Sequence, residues 1–268
     1  MMNDDKAITQ TMREYNELLY IMPYNAQHIG DREEQQDYFA YSNLLDPVEV
    51  SRSGNAAALA DGMGGMEDGQ TAAIYGVNAF LSAYLACDAS SDAELENGML
   101  DALYAANAEV CRLSGAGATL VAVVVKKNRL HWISVGDSHI YLVRNGVARL
   151  LSEDHVFAEE LDRMYKDGEI TYEQAMEHPE RNALTSYLGP PNIERVSRNS
   201  GEFPLLKDDV ILLCTDGLYR GLSDVEIAEI TTEASRKKDD IAQELVNRVL
   251  EKHLENQDNV TVLALKMI

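Results

Sequence analysis

No apolar stretch in this sequence approaches the ~20 residues needed to cross a membrane, and no signal-peptide pattern opens it. A cytoplasmic protein is expected. Cations are scarce: 23 Lys and Arg stand against 45 Asp and Glu, a formal net charge of −22. That balance argues against nucleic acid and against an anionic membrane surface as partners, since both need clustered Lys and Arg. It suits cation binding and basic peptide substrates. Cysteine is limited to Cys87, Cys111 and Cys214, an odd number with no CxxC pair. Each lies within or beside an apolar run, so buried free thiols in a reducing compartment are expected. Pro/Ser-rich linkers, low-complexity tracts and internal repeats are absent too. With 268 residues, 46% of them hydrophobic, the chain can build one substantial core.

What is present is a set of aspartates at the ends of apolar runs. The apolar run Ala56–Ala60 leads into Asp61, and glycines follow at 62, 64 and 65. Glycine lets backbone approach whatever the aspartate holds. Carboxylates and backbone carbonyls together suit a hard cation such as Mg²⁺ or Mn²⁺. Alone, Asp-Gly followed by Gly-Gly also reads as a plain turn. Related stretches strengthen the metal reading: Arg32 to Asp37, Gly136-Asp137-Ser138-His139, Thr215-Asp216-Gly217 and Asp258-Asn259. Each aspartate lies beside an apolar segment.

Residues 5–20 carry apolar side chains at helical spacing and predict a short amphipathic leader helix. Strands are expected near 24–29, over 37–41 and over 56–60. Helices are expected over 69–85 and 92–113. The β-branched run 119–125 reads as a strand buried on both faces. Lys126-Lys127-Asn128 makes a hairpin turn to 130–135, and Asn145-Gly146 joins 140–144 to 147–151. Residues 152–192 are polar and irregular, with helical pieces near 158–165 and 172–177, and read as a lid or binding flap. A strand at 210–214, a capped helix from Ser223-Asp224-Val225-Glu226, a helix over 240–254 and a last strand over 260–265 complete the order. Two sheets with helices packed outside would bury all of these elements.

Seven ordered stretches together resemble the metal-dependent protein phosphatases of the protein phosphatase 2C type, in particular the compact bacterial serine/threonine members. They are Arg32 with Asp37, Asp61-Gly-Met-Gly-Gly, Gly117-Ala-Thr-Leu120, Gly136-Asp-Ser138, Asp154-His155, Asn182-Ala-Leu-Thr185 with Leu188-Gly189, and Thr215-Asp-Gly-Leu218 followed by Asp258-Asn259. The resemblance spans about residues 21–265. It implies an α+β, four-layer α-β-β-α sandwich around a central antiparallel β-sandwich, with residues 1–20 as leader and 21–268 as the phosphatase domain. It implies two divalent ions bridged by Asp61, with the Gly62 carbonyl, Asp37, Asp216 and Asp258 as further ligands. Asp137 matches the support of a third, weaker ion. Arg32 matches the phosphate-binding arginine, whose planar fork suits phosphoryl oxygens. Where eukaryotic relatives place a histidine able to protonate the leaving alkoxide, this chain has Met63, which cannot. His139 stands where the family usually has arginine. Asp154 is expected to cap the flap helix.

The resemblance thus implies hydrolysis of phosphoserine and phosphothreonine in proteins by a metal-bridging hydroxide, with no covalent phosphoenzyme. It implies phosphoprotein substrates, a cognate serine/threonine kinase and a monomer. Two rivals are a phosphoprotein-binding regulatory module of the same fold and a different metal hydrolase. Retention of Asp37, Asp61, Asp216 and Asp258 argues against the first. The negative charge argues against a nuclease.

Overall fold

Long apolar runs become strands here because each sheet is covered on both faces. In the computed structural model, residues 18–64, 67–89 and 91–268 are described. One sheet runs β1 (Ile21–His28), β11 (Val260–Met267), β10 (Val210–Cys214), β7 (His139–Arg144), β8 (Val147–Leu150). The other runs β2 (Asp37–Tyr41), β3 (Asn55–Met63), β5 (Leu120–Lys126), β6 (Arg129–Val135), β9 (Ser197–Arg198), with the two-residue β4 (Gly117–Ala118) beside β3. Every pairing between these strands is antiparallel.

Alternation along the strands sorts side chains into three cores. Ala57, Leu59, Val121 and Val123 meet Ile140, Leu142, Ile211, Leu213 and Leu263 between the sheets. The opposite faces of β3 and β5, including Ala56, Ala58, Ala60 and Val124, pack against α2 (Glu67–Ala86) and α3 (Asp92–Val110). Alanine at alternate positions of β3 lets α2 lie close on the sheet. On the far side, Val210, Leu212, Val260 and Val262 pack under α7 (Asp224–Lys237) and α8 (Ile241–Glu251). These three cores define the four-layer α-β-β-α sandwich expected from the sequence.

Local chemistry sets the element ends. Ser91 with Glu94, and Ser223 with Glu226, close capping boxes at the starts of α3 and α7. Lys127 and Asn128 both take positive φ, 50° and 61°, in the β5–β6 hairpin. The sequence reading overlooks α1 (Pro47–Ser53), too short for a periodic signal although Asp46 caps it, whereas the helical pieces expected within 152–192 form α4 (Ala158–Lys166) and α5 (Tyr172–Met176). The leader helix expected over 5–20 falls mostly outside the described residues. Residues 18–20 are not helical: Tyr20 exchanges backbone hydrogen bonds with Ile268. The expectation of buried thiols holds for Cys214 only; Cys87 is half-buried and Cys111 exposed. Among the described residues no helix is long and apolar enough to cross a membrane.

Candidate active site

Strand ends deliver the aspartates to one end of the sandwich. Asp37 opens β2 and is the register partner of Asp61 in β3. Directly opposed antiparallel residues place their Cβ atoms about 5 Å apart, so two carboxylates there repel. Asp137 lies in the β6–β7 loop, Asp216 begins the one-turn α6 (Asp216–Tyr219) after β10, and Asp258 precedes β11. Asp61, Asp137, Asp216 and Asp258 line a cleft of about 850 Å³ with Arg32, Gly62 and Met63. Asp37 sits buried behind it. Residues separated by more than 200 positions thus share one site.

Backbone and hydroxyl contacts hold Asp37 and Asp61, whereas Asp216 and Asp258 are each paired with an arginine. Asp37 Oδ2 accepts hydrogen bonds from Thr215 Oγ1 at 3.0 Å and Thr261 Oγ1 at 2.6 Å, which tie β2 to the opposite sheet. Thr119 Oγ1 accepts from the Asp61 N–H at 2.9 Å and contacts Ser138 Oγ at 2.7 Å. Asn259 pins the loop carrying Arg32: its amide donates to the carbonyls of Ile29 and Glu34, and its oxygen accepts from the Gln36 N–H. At Gly62 the backbone is so close to α2 that a Cβ would stand 2.0 Å from the Gly69 carbonyl oxygen. Thr119, Thr215 and Asn259 belong to the stretches singled out in the sequence. The role of Thr215 and Thr261 as donors to Asp37 is not legible there, because only the pairing of β10 with β11 brings them together.

Crowding without cations raises the affinity of these carboxylates for protons. Burial pushes Asp37 up to about 7 despite its two hydroxyl donors. Burial, then the charges of Asp37, Asp216, Asp137 and Asp258, hold Asp61 well above the carboxylate range. Asp216 rises to about 6 through burial, partly offset by Arg220. Asp137 is raised by burial and opposed by Arg220. Two buried oxygens, Asp37 Oδ1 and Asp216 Oδ1, have no hydrogen-bond partner. An all-oxygen donor set with orphaned carboxylate oxygens fits hard divalent cations. Among the described residues, no three acidic, imidazole or thiol side chains close around a single point. Ions here would be held by one or two carboxylates each and completed by water, as Mg²⁺ tolerates.

Arg32 reaches the cleft through Asp258, Nη2 to Oδ2 at 2.6 Å, and keeps a side chain 58% exposed. His139 is buried, with Nδ1 2.9 Å from Tyr141 Oη, Nε2 2.8 Å from Asp154 Oδ1, and Tyr219 stacked on its ring at 3.7 Å. This corrects the assignment of Asp154: α4 (Ala158–Lys166) begins at Phe157 without a side-chain cap, and Asp154 anchors His139 instead. Tyr219 Oη donates to the Asp137 carbonyl at 3.0 Å, fixing the Asp137 loop. His155 is buried, its Nδ1 accepts from the Gly136 N–H at 3.2 Å, and burial lowers it to about 4. It is neutral near pH 7, so it lacks the acidic imidazolium proton that a general acid would supply.

The sequence contains one Cys-x5-Arg spacing, Cys214 to Arg220, the signature of cysteine-nucleophile phosphatases. The environment removes its meaning. Cys214 is wholly buried in β10, its thiol is pushed up by burial, and Arg220 is paired with Asp216.

The segment 152–192 reaches the cleft through Asn182, Leu184 and Tyr187. It is tied to the frame where Leu188 bridges Ala118 and where His155 and Gly136 exchange backbone and ring contacts.

Comparison with known proteins agrees with this architecture. The model of the protein phosphatase 2C family matches residues 25–257. The serine/threonine phosphatase stp of Listeria innocua is 33% identical over 213 residues, covering 76% of this chain and 81% of that protein. Among solved structures, the S. agalactiae serine/threonine phosphatase superposes with a TM-score of 0.77 at 27% identity, covering 93% of this chain and all of that one. The catalytic domain of the serine/threonine phosphatase PstP, solved with two manganese ions, superposes with a TM-score of 0.66 at 26% identity, covering 93% of this chain and 99% of that one. A family match over most of the length, with a relative 33% identical across three quarters of the chain, places this chain in the protein phosphatase 2C family.

Proposed function

We propose that this chain is a metal-dependent protein serine/threonine phosphatase. The observation that carries the reading is the convergence on one cleft of Asp61, Asp137, Asp216 and Asp258, backed by Asp37, with two buried carboxylate oxygens lacking any partner. Asp61 and the Gly62 carbonyl, with Asp37, Asp216 and Asp258, would hold two Mg²⁺ or Mn²⁺ ions. Asp137 would support a third. Such ions supply hydroxide near neutral pH and neutralise phosphoryl charge. The chain's own part is positional. Asp37 is locked by Thr215 and Thr261, Asp61 by Thr119, and the Arg32 loop by Asn259. The pair with Asp258 engages only Nη2 of Arg32, so the rest of the guanidinium fork remains for phosphoryl oxygens. Residues 152–192 would act as a flap over the substrate peptide. Phosphoproteins as substrates, a cognate kinase, a monomeric state and a cytoplasmic location follow from the same reading.

The test is hydrolysis of a phosphothreonine peptide against Mn²⁺ and Mg²⁺ concentration. Turnover that vanishes with chelator and returns with metal is expected. Metal-dependent peptide binding without turnover would transfer the chain to the regulatory-module reading.

A second expectation concerns pH. Asp37 and Asp216 have folded pKa values above their unfolded ones, so protonation stabilises the metal-free fold at low pH. That stability is lost as pH rises through about 6 to 7. Cations replace those protons. The rise in melting temperature on adding Mg²⁺ should therefore grow between pH 5 and pH 8, as read by calorimetry with and without chelator. The burial effect on His155 is common to both samples and cancels. A metal-induced shift that shrinks toward pH 8 would contradict this.

A further inference from the structure

Arg220 has no role in the metal and phosphate chemistry described so far, yet it enters the cleft with Asp137 and Asp216. It follows α6 directly, and its backbone N–H closes on the Asp216 carbonyl at 3.0 Å. The i,i+4 spacing brings the side chain back over the first residue of that turn. Its Nη2 lies 2.7 Å from Asp216 Oδ2. Its side chain is 54% exposed, and it lines the same cleft as Asp137, Asp216 and Asp258. The next residue back, Tyr219, holds the Asp137 loop through its hydroxyl and stacks on His139. One helical turn therefore sets the Asp137 loop and a guanidinium on the same wall. Asp137 makes no ion pair among the described residues, and Arg220 is the strongest favourable charge acting on it.

We propose that Arg220 is a built-in counter-cation, standing at Asp216 and beside Asp137 where a divalent ion shared by those two carboxylates would otherwise sit. Its fixed charge competes with such an ion, so the cleft holds two ions firmly and a third only weakly. A second fixed cation, Arg32, stands at Asp258. Arginine suits the role because it stays charged at any working pH and its fork can hold Asp216 by one nitrogen while the rest faces the cleft. The inference rests on the metal-dependent reading above.

The test is calorimetric titration of the full chain with Mn²⁺, supported by the electron paramagnetic resonance signal of free Mn²⁺. The variants are Arg220→Gln, Arg220→Lys, and Arg220→Gln combined with Asp137→Asn. Wild type should bind two ions tightly. Arg220→Gln should gain a third ion, or bind its weakest ion at least about tenfold tighter, because an opposing charge has left the carboxylate pair. Asp137→Asn should cancel that gain, and Arg220→Lys should behave as wild type. Unchanged stoichiometry and affinity in Arg220→Gln would overturn this inference while leaving the phosphatase reading intact. So would a gain that survives Asp137→Asn, or an equal gain in Arg220→Lys. Wild type that binds no Mn²⁺ at all would overturn both.

Discussion

Asp61→Asn should abolish phosphopeptide hydrolysis while making the metal-free protein harder to melt at pH 8. The two effects share one cause. Asp61 faces Asp37 across the β2–β3 ladder and feels Asp216, Asp137 and Asp258 as well. In the folded, metal-free state its charge is a liability, burdened first by burial and then by four neighbours. An amide of the same shape removes the liability. It also removes the ligand through which cations would be held at the centre of the site. Loss of turnover on the order of 10³-fold, roughly 4 kcal/mol of transition-state stabilisation, is expected. Each kcal/mol regained by the metal-free fold raises its melting temperature by about 2–4 °C for a chain of this size. Steady-state kinetics and calorimetry on the same samples check both. A variant that keeps appreciable turnover, or melts lower than wild type without metal, would sink the argument.

The second large effect belongs to a residue with no side chain. Gly62→Ala places a methyl 2.0 Å from the Gly69 carbonyl oxygen and 2.8 Å from that of Gln36. Both obstacles are backbone, so neither a rotamer change nor a flexible tip relieves the clash. The start of α2 and the strand end carrying Asp61 must move apart. Overpacking of this kind costs about 1–3 kcal/mol. The functional loss is larger, because a shift of about 1 Å at a reacting centre costs roughly 10²-fold in rate. A suitable control is Gly201→Ala, where φ is +90° but nothing lies within 4 Å of the added Cβ. It should lose some stability through backbone strain and keep full turnover. Equal turnover in both variants would show that the Gly62 contact does not set the position of Asp61.

Much of this arrangement is legible in the sequence, for reasons particular residues make plain. The run Leu120–Val125 reads as a two-sided buried strand because helices cover one face and a sheet the other. Asp61, Asp137 and Asp216 are visible because apolar sequence stops at or just before them, and Asp37 and Asp258 because apolar sequence begins just after them. What stays hidden is the pairing of distant elements. Nothing in Thr215 or Thr261 announces that both hydroxyls will point at Asp37, since that depends on β10 and β11 lying side by side. Asp154 misleads because an acidic residue ahead of a helical segment reads as a cap, whereas the tertiary structure gives it a histidine. Arg220 is the instructive omission. Its i,i+4 spacing from Asp216 is plain in the sequence, but becomes informative only once residues 216–219 are known to form a helical turn.

The pairing of β1 with β11, Ile21 against Met267 through His28 against Val260, has a consequence for biosynthesis. Of the described strands, the last to leave a ribosome is the neighbour of the first. Until β11 emerges, β1 lacks its ladder, Asp37 lacks the Thr261 hydroxyl, and neither Asp258 nor Asn259 is in place to order the loop bearing Arg32. Until β11 has emerged, a nascent chain therefore carries an incomplete cleft. Contacts of such long sequence separation also make for slow folding. Catalytic competence then waits on one step, the docking of β11, rather than growing in proportion to chain length.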